Sequence, residues 1–170
     1  MIFLGIGSNM PSSFGDRFDN INLALSFLYE NAIQIIKKSS FYETLSYPNK
    51  KDPKFINIVI SVSTHLIPID LMSILISIEE KLERKRDKKN DPRTCDIDII
   101  DYNSQVLNFQ YKKLDLEIPH RKLMSRNFVL LPLQEIAPLW KHPNTEETIG
   151  ALIQKLPAED RKSILKVKKS

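Results

Sequence analysis

The sequence is short of the residues that mark several common protein classes. There is one cysteine, Cys95, in 170 residues. It has no partner for an internal disulfide, so a stapled secreted framework is excluded and a cytoplasmic setting is expected. No apolar run approaches the roughly 20 residues that span a bilayer. Residues 1–8 lack the basic start and long apolar middle of a secretory signal, so no membrane partner is expected. Only four glycines occur, and none belongs to a G-x-x-x-x-G-K-[ST] phosphate loop. Gly5-Ile6-Gly7 is a lone G-x-G without the rest of a dinucleotide fingerprint, and reads as close backbone approach at a strand end. No Cys/His cluster suggests zinc, and no Ser-His-Asp arrangement stands out. The chain shows no repeat, low-complexity tract or linker, so residues 1–170 are expected to form one domain, working as a monomer.

What remains is an ordinary globular composition, 42% hydrophobic and 27% charged. The net charge of +4 is unevenly spread. Residues 81–93, KLERKRDKKNDPR, hold seven basic and three acidic residues, a surplus equal to that of the whole chain. Such a concentration of Lys and Arg points to an anionic partner. The closing RKSILKVKKS reads as a second basic stretch, a solvated tail.

Residues 2–8 form an expected first strand. Phe18, Ile21, Leu25 and Leu28 recur at helical spacing over 16–30, with Ser13 and Asp16 as an approximate capping box. Residues 32–44 read as a second strand, and the proline-bearing 45–54 as a loop. The β-branched run FINIVISVST, 55–64, is the clearest strand. A helix with Pro68 in its first turn follows, its stripe formed by Leu71, Leu75, Ile78 and Leu82. The basic loop leads into a strand at 94–102, then a hairpin-like stretch, a helix at about 125–136 and a weaker one at about 146–156. The order β-α-β-β-α-β with C-terminal additions predicts an α+β, ferredoxin-like sandwich, with helices on one face of a mainly antiparallel sheet. The opposite face is expected to be free for a site.

The sharpest chemical feature is Asp96-Ile97-Asp98. Side chains alternate along a strand, so the two aspartates point the same way, with α-carbons about 6.6 Å apart. Such a pair repels itself unless a cation intervenes, and suits two Mg²⁺ ions of a phosphoryl-transfer site. Pro92-Arg93-Thr94 leads directly into it, so a basic loop ends where acidic ligands begin. Metal–polyphosphate sites need this pairing, whereas a nucleic-acid surface does not. Phe55 and Asn57 share one face of the 55–64 strand, opposite Ile56, Ile58, Ile60 and Val62. A ring beside a primary amide suits a flat, hydrogen-bonding heterocycle, although Phe in a strand is more often core. His120, Arg126 and Phe128 form a third group whose His and Arg suit phosphate oxygens.

With these pieces in hand, the chain resembles the 6-hydroxymethyl-7,8-dihydropterin pyrophosphokinases of folate biosynthesis. The resemblance rests on LGIGSN (4–9), SSFYET (39–44), FINIVI (55–60), IEEKLERKR (78–86), PRTCDIDII (92–100) and IPHRKLMSRNFVLLPLQEIAP (118–138), in the family's order. It implies ATP and hydroxymethyl-dihydropterin as substrates. The hydroxymethyl oxygen attacks the β-phosphorus and AMP leaves. It implies that Asp96 and Asp98 hold two Mg²⁺ ions. Arg84, Arg86 and Arg93 would contact phosphates, with Arg84 and Arg93 catalytic alongside the aspartates. Glu79, Ile99, His120 and Arg121 would belong to the ATP site. Phe55 and Phe128 would sandwich the pterin, Asn57 would bond its edge, and Thr44, Tyr47 and Arg126 would complete that pocket. The loops at 45–54 and 83–92 would act as lids, with Arg84 and Arg86 on a segment mobile until substrates bind.

The sequence departs from the family at Asn90-Asp91, where Trp-Gly is frequent, and at Glu83, where Gly is common. Phe55 replaces a frequent Tyr, and Arg121 a frequent aromatic residue or Pro. No metal ligand is lost. The competing readings are an RNA-binding module, which lacks the expected strand aromatics, a two-metal phosphohydrolase, and a silent scaffold.

Overall fold

A computed structural model describes residues 1–85, 91–112 and 114–170. The strands are β1 (Ile2–Ser8), β2 (Gln34–Lys38), β3 (Phe41–Thr44), β4 (Phe55–Ser63), β5 (Asp96–Tyr102), β6 (Leu107–Tyr111), β7 (Leu114–Ile118) and β8 (Leu165–Val167). The helices are α1 (Arg17–Glu30), α2 (Pro68–Lys81), α3 (Asn127–Ile136), α4 (Ile149–Lys155) and α5 (Ala158–Lys162). The main sheet runs β5-β1-β4-β3-β8, with β2 also on β4, and every pairing is antiparallel. β6 and β7 form a separate hairpin. The fold is α+β with an antiparallel sheet.

Alternation along the strands builds two cores. Leu4, Ile6, Ile56, Ile58, Ile60, Ile97 and Ile99 face α1 and α2 and pack on Ile21, Leu28, Leu71, Leu75 and Ile78. On the other face Phe3, Val59 and Ile100 meet Leu130, Leu133, Trp140, Ile149 and Leu152. This second core corrects the expectation of an uncovered face. The hydrophobic stripe of α3 needed cover as much as those of α1 and α2, and it takes one end of that face. The other end is left for the site.

Three local expectations also change. The strand expected over 32–44 is two strands, which pair with different parts of β4. At the break, Ser39 turns its backbone N–H to Val59 O and accepts the Val59 N–H on its own Oγ. The capping box of α1 is Asp16 with Asp19 rather than Ser13 with Asp16. The basic tail is not free along its length, because Leu165–Val167 adds β8 to the edge of β3. Cys95 is a buried free thiol. No helix among the described residues is long and apolar enough to cross a membrane.

Candidate active site

The site grows from the glycines of β1. In the sheet register Gly7 lies between Asn57 of β4 and Asp96 of β5, and Gly5 between Val59 and Asp98. A Cβ on Gly7 would come within 2.8 Å of Asn57 Oδ1 and 3.5 Å of Phe55 Cδ1. The missing side chains therefore leave a trough, with an amide and a ring on one bank and two carboxylates on the other. The lone G-x-G is the backbone closeness expected of it. Asn57 is buried and donates through Nδ2 to Thr44 Oγ1 at 3.0 Å.

The carboxylate bank is ringed by guanidinium groups. Arg84 Nη1 lies 2.7 Å from Asp96 Oδ1 and 2.5 Å from Glu79 Oε1. Arg93 Nε is 3.4 Å from Asp96 Oδ2, buried but without a hydrogen bond. Arg126 Nη1 donates to Asp98 Oδ2 at 3.2 Å, and His120 Nε2 is 3.9 Å from the same oxygen. Burial by itself would raise the Asp96 carboxyl, but the Arg84 and Arg93 charges prevail and hold it below the usual carboxylate range. Burial pushes the His120 imidazole down; Asp98 opposes that and Arg126 reinforces it. Among the described residues no group of three or more His, Cys, Asp or Glu is placed to hold a metal ion. Two strand carboxylates nevertheless suit Mg²⁺, which binds through one or two carboxylates and takes its other oxygens from water and substrate phosphates. The buried Arg93 Nε without a hydrogen bond suits an incoming phosphate oxygen.

Each aromatic candidate carries an arginine: Arg93 lies 5.2 Å from the centre of the Phe55 ring, and Arg126 5.4 Å from that of Phe128. Beside Asp98, a notch of about 90 Å³ opens under the β6–β7 hairpin, lined by Ile99, Phe109, Leu116, Glu117, His120 and Arg121 among others. It is smaller than the roughly 300–1,000 Å³ of an enclosed ligand pocket.

The 7,8-dihydro-6-hydroxymethylpterin-pyrophosphokinase family model matches residues 3–138. The chain belongs to this family. It is 35% identical over 154 residues to the 2-amino-4-hydroxy-6-hydroxymethyldihydropteridine pyrophosphokinase of Synechocystis sp., covering 90% of this chain and 74% of that protein. It is also 35% identical over 158 residues to the folic acid synthesis protein fol1 of Schizosaccharomyces pombe, covering 92% of this chain. It spans only about a fifth of that protein's length (20%). Among solved structures, a Plasmodium falciparum HPPK-DHPS with pteroate superposes with a TM-score of 0.77 at 16% identity, over 99% of this chain and 46% of that one. At that identity the likeness speaks for the fold.

The structure brings together Asp96, Asp98, Arg84, Arg93, Arg126, His120 and Glu79 on one side, and Phe55, Asn57 and Thr44 on the other. Glu79 is buried and accepts the Ile97 backbone N–H at 2.7 Å, which explains its place beneath Asp96. Ile99 is buried and forms part of the floor of the notch. Arg121 is exposed at its rim and pairs with Glu117 at 3.6 Å. Tyr47 is 81% exposed and is not drawn into the trough. Arg86 and Asn90 lie outside the described residues. One expectation is overturned: Arg84 does not wait on a mobile segment but is held by Glu79 and Asp96. Its sequence neighbours are polar, but two carboxylates supply an interior partner for its charge.

Asn9, inside the LGIGSN motif, has a structural role that the motif alone does not reveal. It is buried, bonds Ser46 Oγ and Pro53 O, and exchanges hydrogen bonds with the Arg93 backbone at 2.7 and 3.1 Å. Its available signal was a polar amide directly after an apolar strand.

Proposed function

We propose that this chain transfers a pyrophosphoryl group from ATP to the hydroxymethyl group of 6-hydroxymethyl-7,8-dihydropterin, releasing AMP, in folate biosynthesis. Family membership supports the reaction class. The observation that carries the site assignment is the Asp96–Asp98 pair on one strand face, with Arg84, Arg93 and Arg126 within 3.4 Å of its oxygens. Carboxylates and guanidinium groups alternate there as a metal–polyphosphate substrate requires.

Asp96 and Asp98 would hold Mg²⁺, two ions in this reading, which when bound neutralise phosphate charge and favour attack at phosphorus. Arg84 and Arg93 bind phosphate oxygens and steady the charge that spreads as the bond between the β-phosphorus and the AMP oxygen breaks. Arg126 and His120 serve the same charge from the Asp98 side. Phe55 and Phe128 hold the pterin ring, and Asn57, kept in orientation by Thr44, bonds its edge. The backbone near Tyr47, whose ring stays in solvent, would complete the pterin pocket, while Ile99, Arg121, Glu79 and Arg86 would belong to the nucleotide site. The hydroxymethyl oxygen forms the new bond to the β-phosphorus and its proton leaves to solvent. No protein base is needed, because positioning and electrostatics supply most of the acceleration in phosphoryl transfer.

The order β5-β1-β4-β3, with α1 and α2 on one face, supports a ferredoxin-like core over residues 2–102. A single domain working as a monomer in the cytoplasm, without a nucleic-acid partner, completes the proposal. The test is incubation with ATP, Mg²⁺ and 6-hydroxymethyl-7,8-dihydropterin. Pterin-dependent AMP is expected. Free phosphate or pyrophosphate released without pterin would instead indicate a hydrolase.

A further inference from the structure

α2 ends in an unusual way. The Glu83 N–H bonds Glu80 O and the Arg84 N–H bonds Glu79 O, both at 3.0 Å. This is the paired closure that normally places glycine in the left-handed position, because a side chain is disfavoured there. Here that position is Glu83, with φ of +66°. Its carboxylate is not idle: Ser13 donates its backbone N–H to Glu83 Oε2 at 3.0 Å and its hydroxyl to Oε1. These bonds draw the exposed carboxyl below its usual range.

The anchor is itself fixed. Buried Asn20 donates to Met10 O at 3.0 Å and accepts from Ser12 Oγ at 2.5 Å, tying the turn before α1 to the end of β1. The same stretch holds Arg93 through Asn9. Among the described residues, the two arginines paired with Asp96 are thus moored to residues 9–13, Arg93 through Asn9 and Arg84 through its neighbour Glu83.

We infer that Glu83 is a positioning residue, whose carboxylate bond to Ser13 holds the left-handed turn and thereby presets the Arg84 guanidinium against Asp96. The inference rests on the pyrophosphoryl-transfer reading for its effect on rate, but not for its effect on Arg84. Glycine at this position would suit the backbone better and remove only the mooring, so Glu83→Gly separates positioning from folding. Glu83→Gln keeps an acceptor for one Ser13 donor and should fall between the two.

The experiment follows the Arg84 side-chain NH resonance by NMR in the substrate-free protein, assigned through Arg84→Lys. It adds melting temperature, equilibrium ATP titration and single-turnover rate. In Glu83→Gly the protein should melt no lower than the parent, and the protected Arg84 resonance should broaden or vanish. ATP affinity should stay within about twofold, and the chemical step should slow on the order of tenfold, as misplacement of a positioned group does. Glu83→Gln should recover part of both losses. An Arg84 resonance unchanged in Glu83→Gly would overturn the inference, whatever the activity. If the parent protein makes no pterin-dependent AMP, the functional reading fails, while the resonance still decides the role of Glu83.

Discussion

Strand β5 carries three aspartates in two kinds of surroundings. Asp101 is sealed under the second core, accepting from Trp140 Nε1 at 2.7 Å and from the Ser104 N–H at 2.9 Å. Burial raises its carboxyl, against those two hydrogen bonds. Asp96 and Asp98 keep 28% and 37% of their side chains in solvent and meet guanidinium groups instead. A carboxylate closed off by fixed neutral donors holds the fold together. One that faces charged side chains across an open trough can exchange those partners for a cation or a phosphate-bound ligand. A shift in the β1–β5 register beside Phe3 and Leu4 separates the two kinds. It lets Ile100 and Asp101 both reach the second core, where strict alternation would have sent one of them to the first.

The contrast breaks most sharply at the site. Asp96→Ala and Asp98→Ala should each lower pterin-dependent AMP formation by about 10²-fold or more. Melting should shift little, since Glu79 still holds Arg84. Turnover near that of the parent would defeat the metal assignment. Arg84→Ala joins both kinds of effect, because it also removes one of the partners of buried Glu79. A loss of stability of roughly 1–3 kcal/mol is expected beside a slower chemical step, read from denaturant unfolding and single turnover. Asp101→Ala should do the reverse of the site variants. It leaves the Trp140 N–H without an acceptor and should cost roughly 1–3 kcal/mol, with kcat per folded molecule unchanged. Asn57→Ala should weaken pterin binding by roughly 1–3 kcal/mol and leave ATP binding nearly intact. Calorimetry with each ligand checks this, and equal losses would make Asn57 structural. The smallest effect concerns His142, stacked edge-on against Trp140 with centroids 5.9 Å apart. Burial lowers its pKa from the ordinary 6.5, against the pull of Asp101 and Glu147. The unfolded chain therefore takes the proton first. Stability is full above that ordinary value and is lost as pH falls toward the lowered one. Melting curves of the parent and His142→Gln should diverge less at pH 5.5 than at 7.5.

Much of this was legible because local chemistry and long-range position agreed. D-x-D at strand spacing, a basic loop ahead of it and the β-branched run 55–64 each need only alternation and charge to be understood. Arg84 was misjudged because its partners, Glu79 and Asp96, come from different elements, and a polar neighbourhood in sequence says nothing of two carboxylates converging in space. The break at Ser39–Ser40 was hidden because its stabilising bonds come from Val59 across the sheet. The second core was missed because helix order does not tell which face of a sheet a late helix will cover. β8 was missed because three residues between lysines carry too little pattern to stand out.

That last strand also governs how the protein should be handled. β8 lies along the outer border of β3, with Lys166 paired to Glu135 at 3.4 Å and Lys169 to Asp16 at 3.7 Å. A proteolytic cut after Ser163 would bare the N–H and C=O groups of Phe41–Glu43, an unguarded strand ready to pair with another molecule. Pairing through that edge would take the protein out of solution while leaving the side chains of the trough as they are.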